Sequence, residues 1–304
     1  MDILFSSLAA GILFGMALSL VALGLTIIFG VMDIINFAHG EFLMIGMYTG
    51  LLTAQAFGID PLLTLPVAAA VGFLLGIVCY LGFIKFLLRG PMIAQLLGTF
   101  GLMLFLRNLA LLIFGPNDRA LHKGILVGKS FDIGLGIVIP ATKLATAGLS
   151  LAAFGAVWLL MNRTRIGKAL TATALNPQGA RYMGIPTERM NALAWGIGGA
   201  SVTVAGALIV NFWSVNPYIG LLFTMLAFAI VALGGFGSVP GAFFAGIVVG
   251  LITELPGFWD FVAYTFEFDW MSDVPMTSFK YMWVYVAYFV IMVVRPRGLF
   301  GWKH

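Results

Sequence analysis

Long uninterrupted runs of apolar residues dominate this chain and restrict what it can fold into. The runs cover residues 4–30, 41–57, 62–84, 93–115, 140–162, 190–212, 218–235, 240–255 and 280–294. An α-helix of about 20 residues crosses the hydrocarbon core of a bilayer. Charged residues make up only 9% of the chain, against about 25% in a typical soluble protein. The pattern predicts an all-α polytopic membrane protein with eight to nine transmembrane or re-entrant helices, and it excludes a soluble enzyme.

The loop charges predict an orientation. Residues 85–92, residues 163–189 and the tail from residue 295 together hold ten of the sixteen Lys and Arg. We place these three segments in the cytoplasm, because Lys and Arg are retained on that side. The acidic stretch 254–279 suits the outer side, and alternate crossings then put the N-terminus and the segment 116–143 outside. The cations form no basic face that could follow a phosphate backbone, so we expect no nucleic-acid partner.

Three other kinds of chemistry are unsupported by the sequence. The single cysteine, Cys79, cannot form an internal disulfide, and the three histidines are too far apart for metal-ligand spacing. The segment 123–130 ends like a phosphate-binding loop, but its first glycine is one position out of register and no strand precedes it. We therefore expect no metal or cofactor in this chain, and any ATP must bind a different chain.

The densest group of polar residues separates the first two apolar runs. It consists of Asp33, Asn36, His39 and Glu41. Ionisable groups at membrane depth are costly and usually face a cavity or one another. The group is therefore a candidate translocation pathway or gate. The alternative is that it lies at the cytoplasmic end, where His39 and Glu41 cap and pair the start of a helix.

Two further features are candidates for the same pathway. Arg107 and Asn108 form a second polar pair near the middle of the run 93–115, although Arg107 could instead extend to the outer surface. Gly234, Gly235 and Gly237 lie in a glycine-rich turn between two short runs. Small residues permit close helix packing in lipid, and a moving hinge is the alternative role for this turn.

The loop 163–189 has the pattern of an ordered element. Alanine and leucine favour a helix up to Leu175, Asn176-Pro177 ends one segment and begins another, and Gly184 with Pro186 ends the second. A short helix with cationic flanks at the membrane surface is typical of a docking element for a cytoplasmic partner. An amphipathic linker lying on anionic membrane lipid is the alternative.

Five blocks in this order resemble the LivH-like permeases of branched-chain amino acid ABC importers. The blocks are INFAHGE at 35–41, RIGKA through Gly184-Ile185 at 165–185, NPYIG at 216–220, LGGFGSVPG at 233–241 and RPRGL at 295–299. The resemblance implies one transmembrane permease domain over residues 1–304 of a multi-pass inner-membrane protein. It implies a second, LivM-like permease, an external solute-binding protein and two cytoplasmic ATPase subunits that hold ATP and Mg. This chain is then not itself an enzyme.

The resemblance also assigns the loop 163–189 as the element that couples to the ATPases. The candidate coupling residues are Arg165, Gly167, Lys168, Ala172, Asn176, Arg181, Gly184 and Ile185. ATP-driven closure of the ATPases would act on a helix at 168–183, and the helices around 33–46 and 218–246 would exchange outward and inward openings.

Three residues depart from the family pattern. The family often has arginine where this chain has Thr171, lysine where it has Leu226, and glutamine near the position of Arg107. A changed set of intramembrane charges changes the field along a pathway. The resemblance and these departures together imply a substrate that is a branched-chain amino acid or a related small polar or aromatic solute. A gradient-driven secondary transporter that uses Asp33, His39 and Glu41 as a relay is the alternative.

Overall fold

The fold is built from helices, as expected. The structure is a computed structural model, and it describes residues 2–121, 124–132, 138–265, 276–295 and 298–300. The helices are α1 (Asp2–Met32), α2 (His39–Phe57), α3 (Leu65–Cys79), α4 (Lys85–Leu87), α5 (Met92–Phe114), α6 (Ala141–Arg163), α7 (Arg165–Leu175), α8 (Pro177–Tyr182), α9 (Thr187–Ile209), α10 (Ile219–Gly234), α11 (Val239–Glu254), α12 (Pro256–Thr265) and α13 (Lys280–Val294). The segments discussed above include charged and other residues that lie outside the described ranges, among them His122, Lys123, Glu267, Asp269, Asp273, Pro296, Arg297, Lys303 and His304.

Each predicted apolar run corresponds to a helix. Within the described residues, seven helical stretches are long and apolar enough to cross a membrane. With the mainly buried helices α2 and α10, the described residues contain nine transmembrane or re-entrant helices, which is the upper end of the predicted range. A 3-10 turn, Pro61–Thr64, precedes α3, and a π-helical turn, Tyr80–Ile84, joins α3 to α4. Another 3-10 turn, Met276–Phe279, leads into α13.

The core of the bundle surrounds α1 and α9. Helix α1 packs along α11 and α9, and α9 also packs against α2 and α3. Helix α10 lies between α2 and α11. In contrast, most residues of α5, α6 and α13 are at least partly exposed. The centre is therefore closed by protein, while the outer helices face lipid or a partner.

Small residues set the spacing between the central helices. A side chain added at Gly72 of α3 would overlap the backbone of Gly199 and the side chain of Thr203 in α9. The same holds for Gly246 of α11 against Ser19 of α1. Helices in lipid associate through such close contacts, because no hydrophobic difference drives them together.

The loops separate into two ends of the bundle as the charge pattern predicts. Lys85 and Arg89 line one cavity with Arg181, and the tail bonds to Leu233 and Gly234 at the same end. At the opposite end, Lys143 lies 3.7 Å from Glu254. The three cation-rich segments thus share one end, which stays predicted as cytoplasmic.

A small hairpin occupies the segment 116–143. Strand β1 (Ser130–Asp132) pairs antiparallel with β2 (Val138–Pro140). The sequence did not predict strands here. The backbone N–H of Ile125 donates to Asp60 Oδ2 at 2.6 Å, and Asn216 donates to Asp118 at 2.6 Å. A turn at 125–128 is followed by β1, so the segment that resembled a phosphate-binding loop has no helix after it.

Candidate functional site

The chain re-enters the bundle between α1 and α2. Asp33 has a φ of +54° directly after α1 and is exposed. The following residues are not helical, and the buried Asn36 accepts a hydrogen bond from the backbone N–H of Ala38 at 3.1 Å. His39, the first residue of α2, lies 2.8 Å through Nε2 from the carbonyl oxygen of Val21. Asp33 therefore lies at the end of α1, whereas His39 contacts its interior, and within the described residues no hydrogen bond joins the two side chains.

Contacts to α1 and α5 place the start of α2 deep in the bundle. Val21 lies eleven residues before the end of α1, which is about 16 Å along the helix axis. On α5, Thr99 donates to the carbonyl of Ile35 at 2.9 Å, and Phe114 at the far end stacks on Tyr48 with ring centroids 4.0 Å apart. The N-terminal turn of α2 is thus near half depth and not at the cytoplasmic end.

Glu41 and Arg107 join the two predicted polar groups in a single ion pair. Arg107 donates from Nε and Nη2 to Glu41 Oε1, at 3.2 and 2.7 Å. The Glu41 side chain is 0% exposed and that of Arg107 is 14% exposed. Arg107 therefore turns into the bundle and does not extend to the outer surface.

The N-terminal end of α10 meets that of α2 beside this pair. The backbone N–H of Gly40 donates to Thr224 Oγ1 at 2.9 Å. A side chain at Gly40 would overlap the carbonyl oxygen of Gly220. Two helices thus begin side by side in the interior, an arrangement typical of discontinuous helices in transport proteins. Leu226, where the resemblance implies lysine, is buried two residues after Thr224.

Asn108 does not join the ion pair. Its side chain is exposed on the side of α5 that faces away from the bundle, and Nδ2 donates to the carbonyl of Leu104 at 2.7 Å. Consecutive helical residues point about 100° apart. The sequence grouped Arg107 with Asn108 by adjacency, whereas the helix separates them.

Aromatic contacts lie on both sides of the ion pair. Toward the start of α5, the Phe37 ring lies 6.3 Å from that of Phe100 and 5.4 Å from that of Phe228 on α10. Toward the other end of α5 is the stack of Tyr48 on Phe114. The Glu41–Arg107 pair is therefore enclosed between two aromatic layers.

The glycine-rich turn is held by contacts with α11 and with the tail. Gly235 and Gly237 have φ values of +97° and +76°, which glycine adopts without strain. Gly234 contacts the backbone of Gly241 so closely that a side chain there would overlap it. The tail closes the end of α10, because the N–H groups of residues 299 and 300 donate to the carbonyls of residues 233 and 234 at 2.7 and 3.1 Å.

The loop 163–189 contains the two predicted helices, α7 and α8. Thr164 caps α7 by accepting from the N–H of Gly167 at 3.1 Å, and Asn176 caps α8 by accepting from Gly179 at 2.8 Å. Gly184 ends the second helix with a φ of +81°. The break at Asn176 and the stop at Gly184 agree with the prediction from sequence.

The inner face of this helix pair is anchored in the bundle. Leu170 and Thr173 are buried, and a side chain at Gly167 would overlap the carbonyl of Met161. Helix α7 packs against α6, α1 and α9. Arg181 donates from Nε to Thr187 Oγ1, at the start of α9, at 2.7 Å. Ala172 and Ile185 are partly buried. A displacement of α7–α8 would therefore act on α1 and α9.

The outer face combines cations with three large apolar side chains. Arg165 and Lys168 are exposed. Leu175, Tyr182 and Met183 are 71%, 89% and 83% exposed. The sequence reasoning named the cations and missed the apolar residues. Their position at the ends of short amphipathic helices was the available signal. We call Arg165, Lys168, Leu175, Tyr182 and Met183 the loop face.

A cavity of 460 Å³ separates the helix pair from the bundle. Its polar lining includes Asp33, Lys85, Arg89, Arg181 and Glu188. The described residues contain no group of three or more His, Cys, Asp and Glu side chains that could hold a metal ion. The cavity is thus a charged junction between the loop and the ends of α1, α4 and α9.

Known proteins match the chain over almost its whole length. A sequence model of the family described as "Branched-chain amino acid transport system / permease component" matches residues 7–295. The high-affinity branched-chain amino acid transport system permease protein LivH of Escherichia coli K12 is 31% identical, over 96% of this chain and 93% of that protein. The corresponding protein BraD of Pseudomonas aeruginosa is 28% identical, over 97% and 94%. The autoinducer 2 import system permease protein LsrD of Salmonella paratyphi B is 28% identical, over 62% and 59%.

Proposed function

The chain belongs to the family of permease components of branched-chain amino acid transport systems, and on this premise we propose that it is the membrane-spanning subunit of an ATP-driven ABC importer. It is a multi-pass protein of the bacterial inner membrane. The substrate is a branched-chain amino acid or a related small polar or aromatic solute. LivH and BraD are named for branched-chain amino acids, whereas LsrD is named for autoinducer 2.

The proposed complex contains four further components. A second, LivM-like permease completes the membrane part, two cytoplasmic ATPase subunits bind ATP and Mg, and an external solute-binding protein delivers the substrate. Substrate affinity resides mainly in the binding protein. The permease then needs few polar side chains along its pathway, which fits the small number of buried charges in the described helices.

The loop face is the observation that carries this proposal. It presents exposed apolar side chains and exposed cations at the cation-rich end, and helix α7 packs on α1, α6 and α9. Exposed apolar side chains on an ordered element are covered when they form part of a protein interface, and we propose that the ATPase subunits cover these. Movement of docked ATPases would reach the bundle through α7–α8.

The meeting point of α2 and α10 is where access to the two sides would alternate. Both helices begin beside the Glu41–Arg107 pair, between the two aromatic layers. Separation of the Phe37 layer would open one side, and separation of Tyr48 from Phe114 would open the other. The glycine turn and tail would hold the end of α10 during this movement.

Reversal of the loop charges tests the coupling role. In the reconstituted complex, Arg165→Glu and Lys168→Glu, and separately Arg181→Glu, should lower substrate uptake and substrate-stimulated ATP hydrolysis together while all subunits remain expressed. Lys143→Glu is the matched control, because Lys143 lies at the opposite end of the bundle. Unchanged coupling in the loop variants would contradict the proposal.

A further inference from the structure

The Glu41–Arg107 pair has unused hydrogen-bonding capacity in the middle of the bundle. Arg107 directs Nε and Nη2 to a single oxygen, Glu41 Oε1. The second oxygen, Oε2, is buried and has no hydrogen-bond partner. Nη1 of Arg107 makes no hydrogen bond to any residue that the structure describes. Each member of the pair therefore has a free site for a further group.

This geometry differs from that of a bridge that only ties two helices together. Arginine and a carboxylate in such a bridge typically form two parallel bonds, one to each oxygen. Removing both charges from water costs several kcal/mol per ion, and good geometry with further hydrogen bonds is needed to offset it. A buried carboxylate oxygen without a donor leaves part of this cost in place. Intramembrane ionisable groups retained at such a cost usually mark a transport pathway.

The surroundings define which charges a ligand would present. Glu41 lies in the first turn of α2, and its carboxylate packs against Gly220 in the first turn of α10. Two helix N-termini, which carry partial positive charge, thus converge on this place. A ligand ammonium would donate to Glu41 Oε2. A ligand carboxylate would accept from Nη1 of Arg107 and be stabilised by the helix ends.

We propose that Glu41 and Arg107 together recognise the ammonium and carboxylate groups of an α-amino acid during its passage. An α-amino acid carries both groups on one carbon atom, which suits two partners already in contact. In the described arrangement α10 packs onto α2 and the pair is closed, while the 14% exposure of Arg107 marks the side of approach. This inference rests on the proposed function and assigns its substrate class.

The test uses the complete complex in proteoliposomes with L-leucine as the probe. In Glu41→Gln and in Arg107→Gln, uptake should fall about tenfold or more, the loss expected for a hydrogen bond to a charged group. Hydrolysis stimulated by leucine-loaded binding protein should remain within about twofold of the wild type, because the loop face is intact. Ser201→Ala is the control, since Ser201 is buried and, among the described residues, its hydroxyl donates within its own helix, to the carbonyl of Ile197.

The two readouts separate recognition from a structural role. If uptake and ATP hydrolysis fall together, or if neither falls, the inference is wrong. A wild-type complex that hydrolyses ATP but takes up no L-leucine would contradict both this inference and the amino-acid part of the proposed function. Wild-type uptake that both substitutions leave unchanged would contradict this inference alone.

A binding measurement checks the two charges separately. The detergent-purified complex without binding protein should gain thermal stability with millimolar L-leucine, and less with leucinamide or 4-methylpentanoate, which each lack one charged group. Glu41→Gln should remove the advantage of L-leucine over 4-methylpentanoate, and Arg107→Gln its advantage over leucinamide. Equal shifts with all three compounds, or no shift with any, would overturn the inference.

Discussion

Removing the apolar side chains of the loop face should detach the ATPases without unfolding the permease. Tyr182 and Met183 are 89% and 83% exposed, so Tyr182→Ala with Met183→Ala removes almost no contact within the chain. Surface changes of this kind alter the free energy of unfolding by less than about 0.5 kcal/mol. A large loss of ATPase binding in this variant would therefore come from lost contacts with the ATPase subunits and not from unfolding of the permease.

The size of the effect follows from the exposed side chains. Fully burying a side chain of this size contributes about 1.5–3 kcal/mol. Two such residues, partly covered by a partner, would contribute about 2–4 kcal/mol, which is about 30- to 1,000-fold in the dissociation constant of the permease–ATPase complex. We expect the double variant to lose ATPase subunits on dilution.

The assay measures retention of ATPase on the immobilised permease over a dilution series, with thermal unfolding of the permease in parallel. Phe57→Ala is the matched control, because Phe57 is 75% exposed and is the last residue of α2, at the opposite end of the bundle. Retention unchanged in the double variant, or lost equally in the control, would refute the docking role. A lowered unfolding temperature would show that the residues are structural.

Three further predictions concern stability in detergent, measured by thermal unfolding. Gly220→Ala should destabilise the fold by about 1–3 kcal/mol, because its Cβ would lie 2.7 Å from the Glu41 carboxylate; an unchanged midpoint would mean that the two helices do not pack this closely. Ser238→Ala removes the cap of α11 and should cost about 0.5–2 kcal/mol, and a neutral result would show that the cap is not formed. Glu254→Gln breaks a partly exposed pair with Lys143 and should cost less than about 1 kcal/mol, so a larger loss would contradict the exposed geometry.

The membrane helices were predictable from sequence because an apolar run of about 20 residues is by itself enough to indicate a helix in the bilayer. Residues 280–294 match α13, and residues 41–57 match α2 apart from its first two residues. The loop helices α7 and α8 were predictable from local signals. Asn176 separates the two helices by capping the start of α8, and Gly184 ends α8 with a positive φ. The strands of the hairpin were missed, because three-residue strands carry too little pattern to distinguish them from a loop.

The site was less predictable because it depends on contacts distant in sequence. Glu41 and Arg107 are 66 residues apart, and each alone was compatible with capping or with a position at the surface. The predicted pairing of Arg107 with Asn108 was wrong, because adjacent residues of a helix point in different directions and Asn108 bonds to Leu104 on the exposed side of α5. Tyr182 and Met183 were overlooked because an apolar residue in a membrane protein is expected to be buried in protein or lipid, and the sequence alone does not give its exposure.

Purification of the tagged chain from its native membrane distinguishes a subunit of an ATP-driven importer from a transporter that works alone. We expect recovery of a second permease and two ATPase subunits. We also expect uptake in proteoliposomes to require ATP on the cytoplasmic side and loaded binding protein on the outer side. A chain recovered alone that transports solute under an ion gradient, indifferent to ATP, would contradict the proposed function.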